Sequence, residues 1–365
     1  MATSRERIGD LLAARRNDFV GLYENIWPDT LEKWLAQGYP RDPDGAPQDP
    51  VDVFGYDLGR LGAAFDTMPR RGYRRVLEHN SEWEIVEDGA GAVTKRFLNR
   101  SATPGHMSWS MTGPAEWEAR FKPPLLETDD ERVPARRLEA SLAKRRAQGL
   151  WTCFNSSFIW ENFRQAVGDV RMYESLLDDE EWVLDYNRTQ LDFYIRHFDR
   201  AMQLAGAPDG AWFSEDLAYN QGLFCSPKVL ERLFFPFYAE LVAYFHRRGM
   251  KVVLHSCGNV ERALPLIVEA GFDALHPMQI RAGCDPLGFA RRYGGKLAFL
   301  GGLDGHLLEQ GDADRIREAQ IRLMDGMREA GARYIFCSDH SISSNVSLDT
   351  YRRVLDTYHQ RSGRA

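Results

Sequence analysis

From Gly149 onward, short apolar runs alternate with longer segments whose apolar residues recur every three to four positions. The runs are Leu150–Phe154, Ala211–Phe213, Val252–Leu254, Ala274–Leu275, Leu297–Leu300 and Tyr334–Phe336. Between and after them the periodicity predicts helices over Glu180–Leu204, Lys228–Arg248, Val260–Ala270, Asp314–Ala330 and Leu348–Arg361. Continuous rather than alternating apolar strands, each followed by a helix, describe a parallel sheet covered on both faces. Nearer the start, Ile8, Leu11 and Leu12 give an amphipathic helix over Arg5–Arg16. Phe19–Tyr23 then reads as a strand ending at Glu24, and Asp29-Thr30 caps a second helix through Trp34 and Gln37. Tyr39–Pro50, rich in Pro, Gly and Asp, has no periodicity and is a surface loop.

The texture changes between Gly72 and Met111. Tyr73–Glu78, Trp83–Val86 and Ala92–Phe97, punctuated by Asp88-Gly89-Ala90-Gly91, predict a β-hairpin or meander inserted at 72–111. Glu116–Phe121 and Pro134–Gln148 read as helices, the second charged enough to be exposed. Seven strands of a larger parallel sheet can be placed, and the eighth is expected near Val76 or Ala92.

The residues that follow each run change the picture most. Glu24, Asn155, Glu215-Asp216, His255 with Cys257, His276, Asp304 after Gly301-Gly302, and Cys337 with His340 all stand at strand ends. Ligand-type and acidic groups gathered at one end of a parallel sheet are the pattern of a (β/α)8 TIM barrel, whose chemistry sits at the C-terminal ends of its strands. No G-x-G-x-x-G follows an early strand to favour a doubly wound sheet. His255 and Cys257 are two residues apart at the end of Val252–Leu254, so they share a face, with Gly258 turning the chain. Imidazole and thiolate are zinc ligands, and Cys337 and His340 offer two more donors at the end of another strand. Glu215 or Asp216 is a candidate proton donor or further ligand, with helix capping or ion pairing as the plainer role. Only one of the two can face the site, because neighbours in a strand point opposite ways. Glu24, Trp27, Trp212, Tyr219, His276 and Asp304 are candidates for a substrate pocket. For the aromatic residues the alternative is core packing, and for Asp304 it is shaping a turn.

Composition adds limits. In 365 residues with 44% hydrophobic content, no apolar run approaches the roughly 18 residues a membrane span requires. The N-terminus lacks the apolar stretch of a signal peptide, and five scattered cysteines do not suggest a disulfide framework, so a cytoplasmic, reduced protein is expected. The net charge of −7 without a basic block points to a small molecule or a protein as partner, not to nucleic acid.

With these residues in view, His255–Asp304 and the Ser338-Asp339-His340 segment with Tyr351 resemble the uroporphyrinogen decarboxylase superfamily. In motif they are most similar to its zinc-dependent methyltransferases, which exchange methyl groups with corrinoid proteins or thiols. The resemblance covers most of Leu150–Gln360 and implies a (β/α)8 barrel. It also implies Zn2+ held by His255, Cys257 and a third ligand that falls on His340 by motif alignment, with Cys337 one short step upstream. Two departures mark the chain. The region around Glu24–Trp34 is acidic and aromatic where the decarboxylases carry arginines, and the third ligand of the methyltransferases is usually cysteine. The activity implied is methyl transfer from a small O-methylated compound, aromatic ones included, to a corrinoid (cobalamin) on a separate protein. A homodimer is compatible with it. A metal-free decarboxylase on the same barrel, with several arginines in its pocket, is the alternative. A non-catalytic binding or assembly protein is a third reading.

Overall fold

A computed structural model describes residues 2–15, 19–98 and 104–363. Eight parallel strands form one sheet: β1 (Gly21–Leu22), β2 (Leu58–Arg60), β3 (Trp151–Ser156), β4 (Gly210–Ser214), β5 (Lys251–His255), β6 (Ala274–His276), β7 (Ala298–Leu300) and β8 (Tyr334–Phe336). From β2 to β8 each pairs with the next in sequence, and β1 pairs with β8 at Gly21 with Ile335 and Leu22 with Phe336. The ring closes between β1 and β2 through Asp57. Its N–H donates to the Leu22 carbonyl at 2.8 Å, and its carboxylate accepts the Leu22 N–H at 2.7 Å. The architecture is a (β/α)8 barrel, as the strand–helix alternation predicts.

The eighth strand is β2, not a segment near Val76 or Ala92. Leu58-Gly59-Arg60 has one apolar residue and no period, so no apolar run marks it. Gly59 is required by the surrounding helix Ala135–Ala147: a Cβ there would lie 2.9 Å from Arg145 Cγ. Val76 and Ala92 belong instead to a four-stranded antiparallel meander of Arg74–His79, Trp83–Asp88, Ala92–Phe97 and Gly105–Trp109. The meander packs on the helix Ile159–Val167, to which Trp109 Nε1 donates through the Gln165 carbonyl at 3.0 Å.

Strand alternation separates two cores. Leu22, Phe154, Ala211, Phe213, Val252, Leu254, Leu275, Phe299, Tyr334 and Phe336 face the helical layer. Tyr23, Leu58, Trp151, Cys153, Trp212, Val253, Ala274, Ala298, Leu300, Ile335 and Cys337 fill the barrel interior. The helix Ser4–Leu12, opened by a Thr3–Glu6 capping box, adds Ile8, Leu11 and Leu12 to that interior core. Arg16, the expected end of this helix, lies outside the described residues. Arg333 donates to the carbonyls of Leu11 and Leu12, which fixes the helix across the N-terminal mouth. The opposite mouth, at the C-terminal strand ends, is left for chemistry.

The other helices follow the periodicity closely: Glu180–Ala205, Ala313–Glu329 and Leu348–Arg361. The expected helix Lys228–Arg248 is two, Pro227–Leu233 and Phe235–His246, because Pro236 has no N–H for a continuous ladder. Among the described residues no helix is long and apolar enough to cross a membrane.

Candidate metal centre

The inward face of β5 ends in His255, and Cys257 follows on the same side. One donor atom from each, and one from Asp216 beyond β4, lie within 4.8 Å of one another. His255 Nε2 is 3.4 Å from Cys257 Sγ and 3.6 Å from Asp216 Oδ1. Two zinc ligands at ordinary bond lengths and a tetrahedral angle stand about 3.6 Å apart, so these edges match three corners of a zinc tetrahedron. Asp216 Oδ1 also accepts the Cys257 N–H at 2.8 Å, holding the turn in place. Gly258 continues the turn at φ +81°, where a Cβ would stand 2.4 Å from the Ala218 carbonyl carbon. Its N–H donates to Gln279 Oε1 at 2.8 Å.

Behind His255 stands His276, at the inward end of β6. The two Nδ1 atoms are 2.6 Å apart and the rings stack at 4.8 Å. A bond of that length between two imidazoles holds one proton between them, so one ring donates and the other accepts. Burial drives His255 down to about 4 and His276 well below its usual value, which keeps both neutral; with the shared proton on His255 Nδ1, its Nε2 presents a lone pair. Burial, reinforced by Asp216, Asp339 and Glu161, pushes the Cys257 thiol far up. A divalent cation between these donors reverses that penalty, because it binds the thiolate directly. The donor set therefore fits zinc.

Glu215 faces the other way. Its two oxygens accept the Phe158 N–H at 2.5 Å, the Trp160 N–H at 2.8 Å and the Tyr238 hydroxyl at 2.5 Å, which anchors the start of the helix Ile159–Val167. Burial still raises its carboxyl to about 8. Glu24 plays a matching part at the end of β1, accepting from the Ser338 N–H and hydroxyl at 2.9 Å each, and burial raises it likewise to about 8. Asp304 caps the helix Gly305–Gln310, accepting the His306 N–H at 2.9 Å. Cys337 is fully buried in the barrel interior among apolar side chains. His340 is exposed, its ring 5.8 Å from Trp27 across a cleft of about 330 Å³ that Gln279 also lines. Neither Cys337 nor His340 belongs to the Asp216–His255–Cys257 cluster. Trp212 lies inside the barrel, 4.9 Å from the His276 ring, while Tyr219 stacks on Phe224 at 5.3 Å on the hairpin above the Cys257 turn.

Of three further contributors, Gln279 and Arg60 carry no motif. Gln279 holds the Gly258 turn. Asp339, buried between His340 and Ser338, accepts the N–H groups of Ile280 and Gly305 at 2.8 Å each and so ties the loops after β6, β7 and β8 together. Arg60 points into the barrel beside Trp212. Only Asp339 had a signal, its place in a run of polar residues at a strand end.

The chain is thus a (β/α)8 barrel with a candidate metal site, a His-x-Cys donor pair and a carboxylate, at its C-terminal mouth. Residues 204–361 match the family model for uroporphyrinogen decarboxylase (URO-D). The structure of a methyltransferase from Methanosarcina mazei aligns with 99% of this chain and 99% of its own at 12% identity, with a TM-score of 0.70. An amidohydrolase structure aligns with 82% of each chain at 12% identity and a TM-score of 0.30. No curated protein matches the chain by sequence.

Proposed function

We propose that this protein is a zinc-dependent methyltransferase that takes a methyl group from a small O-methylated compound, aromatic ones included, and delivers it to a corrinoid carried by a separate protein. The observation that carries the proposal is the convergence of Asp216, His255 and Cys257 at the open mouth of the barrel. The fold shared with the Methanosarcina mazei methyltransferase supports it. Zinc bound there supplies a Lewis acid that offsets the negative charge growing on a leaving oxygen.

The chain's own groups do the rest. Asp216 fixes the Cys257 backbone through its N–H, so the thiolate is positioned before any ligand arrives. The His276 ring holds the Nδ1 side of His255, orienting Nε2 toward the cluster. Trp27 and Tyr219 offer aromatic walls on the loops around the mouth, and Trp212 a floor inside the barrel. Asp339 keeps three loops in one register around that mouth.

The test is methyl-cobalamin formation, followed spectroscopically, when zinc-loaded protein meets cob(I)alamin and a panel of methoxyarenes and simple methyl donors. Transfer that disappears in Cys257→Ser is the expected result. Absence of transfer from every donor, with carbon dioxide released from a carboxylated analogue by metal-free protein, selects the decarboxylase instead.

A further inference from the structure

Buried arginines elsewhere in this barrel direct their Nη groups to backbone carbonyls. Arg132 donates to those of Asp66, Met68, Pro69 and Pro124, and Arg333 to those of Leu11 and Leu12. Each fastens one segment to another, as an arginine in a structural role does. Arg60 is different. Leu58 faces the interior and Gly59 the surrounding helix, so Arg60, two residues after Leu58, faces the interior at the C-terminal end of β2. Its guanidinium lies 5.2 Å from the Trp212 ring and makes one hydrogen bond, from Nη1 to the Tyr23 hydroxyl at 3.0 Å. Among the described residues no carboxylate pairs with it.

Its surroundings lead to the metal cluster. Trp212 touches His276 at 4.9 Å between rings, and His276 touches His255 at 2.6 Å. On the neighbouring strand β3, Cys153 is paired with Arg60 and faces inward, which puts Asn155 on the same face one step nearer the mouth. The Asn155 side chain has a buried Oδ1 with no hydrogen-bond partner. A cavity of about 230 Å³ opens at Arg60, lined also by Tyr23, Glu24, Asn25 and Tyr56. The half-buried Arg60 guanidinium, with one hydrogen bond, thus presents N–H donors at the barrel mouth, on the face that leads to His276 and His255.

We infer that Arg60 is the anion-binding residue of the substrate site, and that the substrate carries a carboxylate which takes the free N–H fork of Arg60. A carboxylate fits better than a phosphate dianion, because one guanidinium fork matches one planar carboxylate in geometry and in charge. The methyl-bearing part of the ligand rests on the methyltransferase reading, and the two together give a methoxylated carboxylic acid as the substrate class.

The experiment is calorimetric titration of zinc-loaded protein with 4-methoxybenzoate and methoxyacetate, each against its neutral amide. At least one acid binds the unaltered protein about tenfold or more tightly than its amide. Arg60→Gln removes that preference and Arg60→Lys, which keeps the charge and loses the fork, retains part of it. Thermal melts establish that the variants fold, and the acid-against-amide comparison in unaltered protein stands without them. Acids and amides binding alike, neither binding, or an acid preference that survives Arg60→Gln overturns the inference. Methyl transfer to cob(I)alamin, measured in parallel, separates the two readings. An acid that binds through Arg60 but is never demethylated defeats the methyltransferase and leaves the anion site. Demethylation of acid and amide with equal kcat/KM does the reverse.

Discussion

Replacing Asp216 by alanine isolates the donor that the fold, not the His-x-Cys motif, brings to the metal centre. The carboxylate oxygen stands 3.6 Å from His255 Nε2 and holds the Cys257 N–H at 2.8 Å, so the change removes a ligand and loosens the turn that presents the thiolate. Four-ligand structural zinc sites bind with about 10–16 kcal/mol, so one ligand is worth about 3 kcal/mol, roughly a hundredfold in Kd. Competition for zinc between the protein and a fluorescent chelator measures this directly. Asp216→Ala weakens binding about a hundredfold, as do Cys257→Ser and His255→Ala. His340→Ala and Cys337→Ala leave it within about threefold, since neither side chain stands in the cluster. Acidity adds a second reading of the same titration. Burial holds the Cys257 thiol protonated while His255 is already neutral near pH 7, so zinc displaces one proton and affinity rises about tenfold per pH unit between pH 6 and 8. Unchanged affinity in Asp216→Ala, with loss in His340→Ala or Cys337→Ala, refutes the geometry.

Two further outcomes follow from buried groups near the site. Glu215 and Glu24 are both raised to about 8 by burial, so the folded chain keeps protons that the unfolded chain gives up. Their stabilisation is complete below the ordinary carboxyl pKa and is lost as pH rises toward 8. Urea denaturation of metal-free protein between pH 5 and 8 therefore shows falling stability, with a shallower fall in Glu215→Gln; a rise with pH, or an unaltered slope in the variant, contradicts this. Gly258→Ala places a Cβ against the Ala218 backbone at a positive φ, and we expect a cost of about 1–3 kcal/mol with weakened zinc binding. Wild-type melting and wild-type zinc affinity in that variant would show that the turn is not constrained as described.

Barrel strands with apolar runs were legible because burial on both faces writes itself as consecutive hydrophobic residues. β2 was not, since Gly59 answers to a neighbouring helix and Arg60 to the barrel interior, and neither need produces a pattern along the chain. His255 and Cys257 were legible for a local reason, the two-residue step of a strand. Asp216 and Glu215 face different ways, and which one faces the cluster depends on the backbone after Ser214, which no spacing reveals. His340 and Cys337 drew attention by ligand type at a strand end and, for His340, by motif alignment. One side chain is committed to the exposed cleft by Trp27 and the other to the interior core, and both placements depend on residues more than 100 positions away in sequence.

The closing seam of the barrel has a consequence for how the chain is made. Among the described residues β1 finds its partner strand only in β8, Glu24 binds Ser338, Trp34 donates to the Val346 carbonyl, and the Val20 N–H reaches the Ser362 carbonyl. The entropy of closing so long a loop grows only with the logarithm of its length and is modest. Time is the harder constraint. During synthesis at about 5–20 residues per second, β1 waits many seconds for its partner with an unpaired edge. Ribosome-bound chains that stop short of β8 would thus expose the whole edge of β1, and nascent-chain protection by a chaperone matters most in that interval.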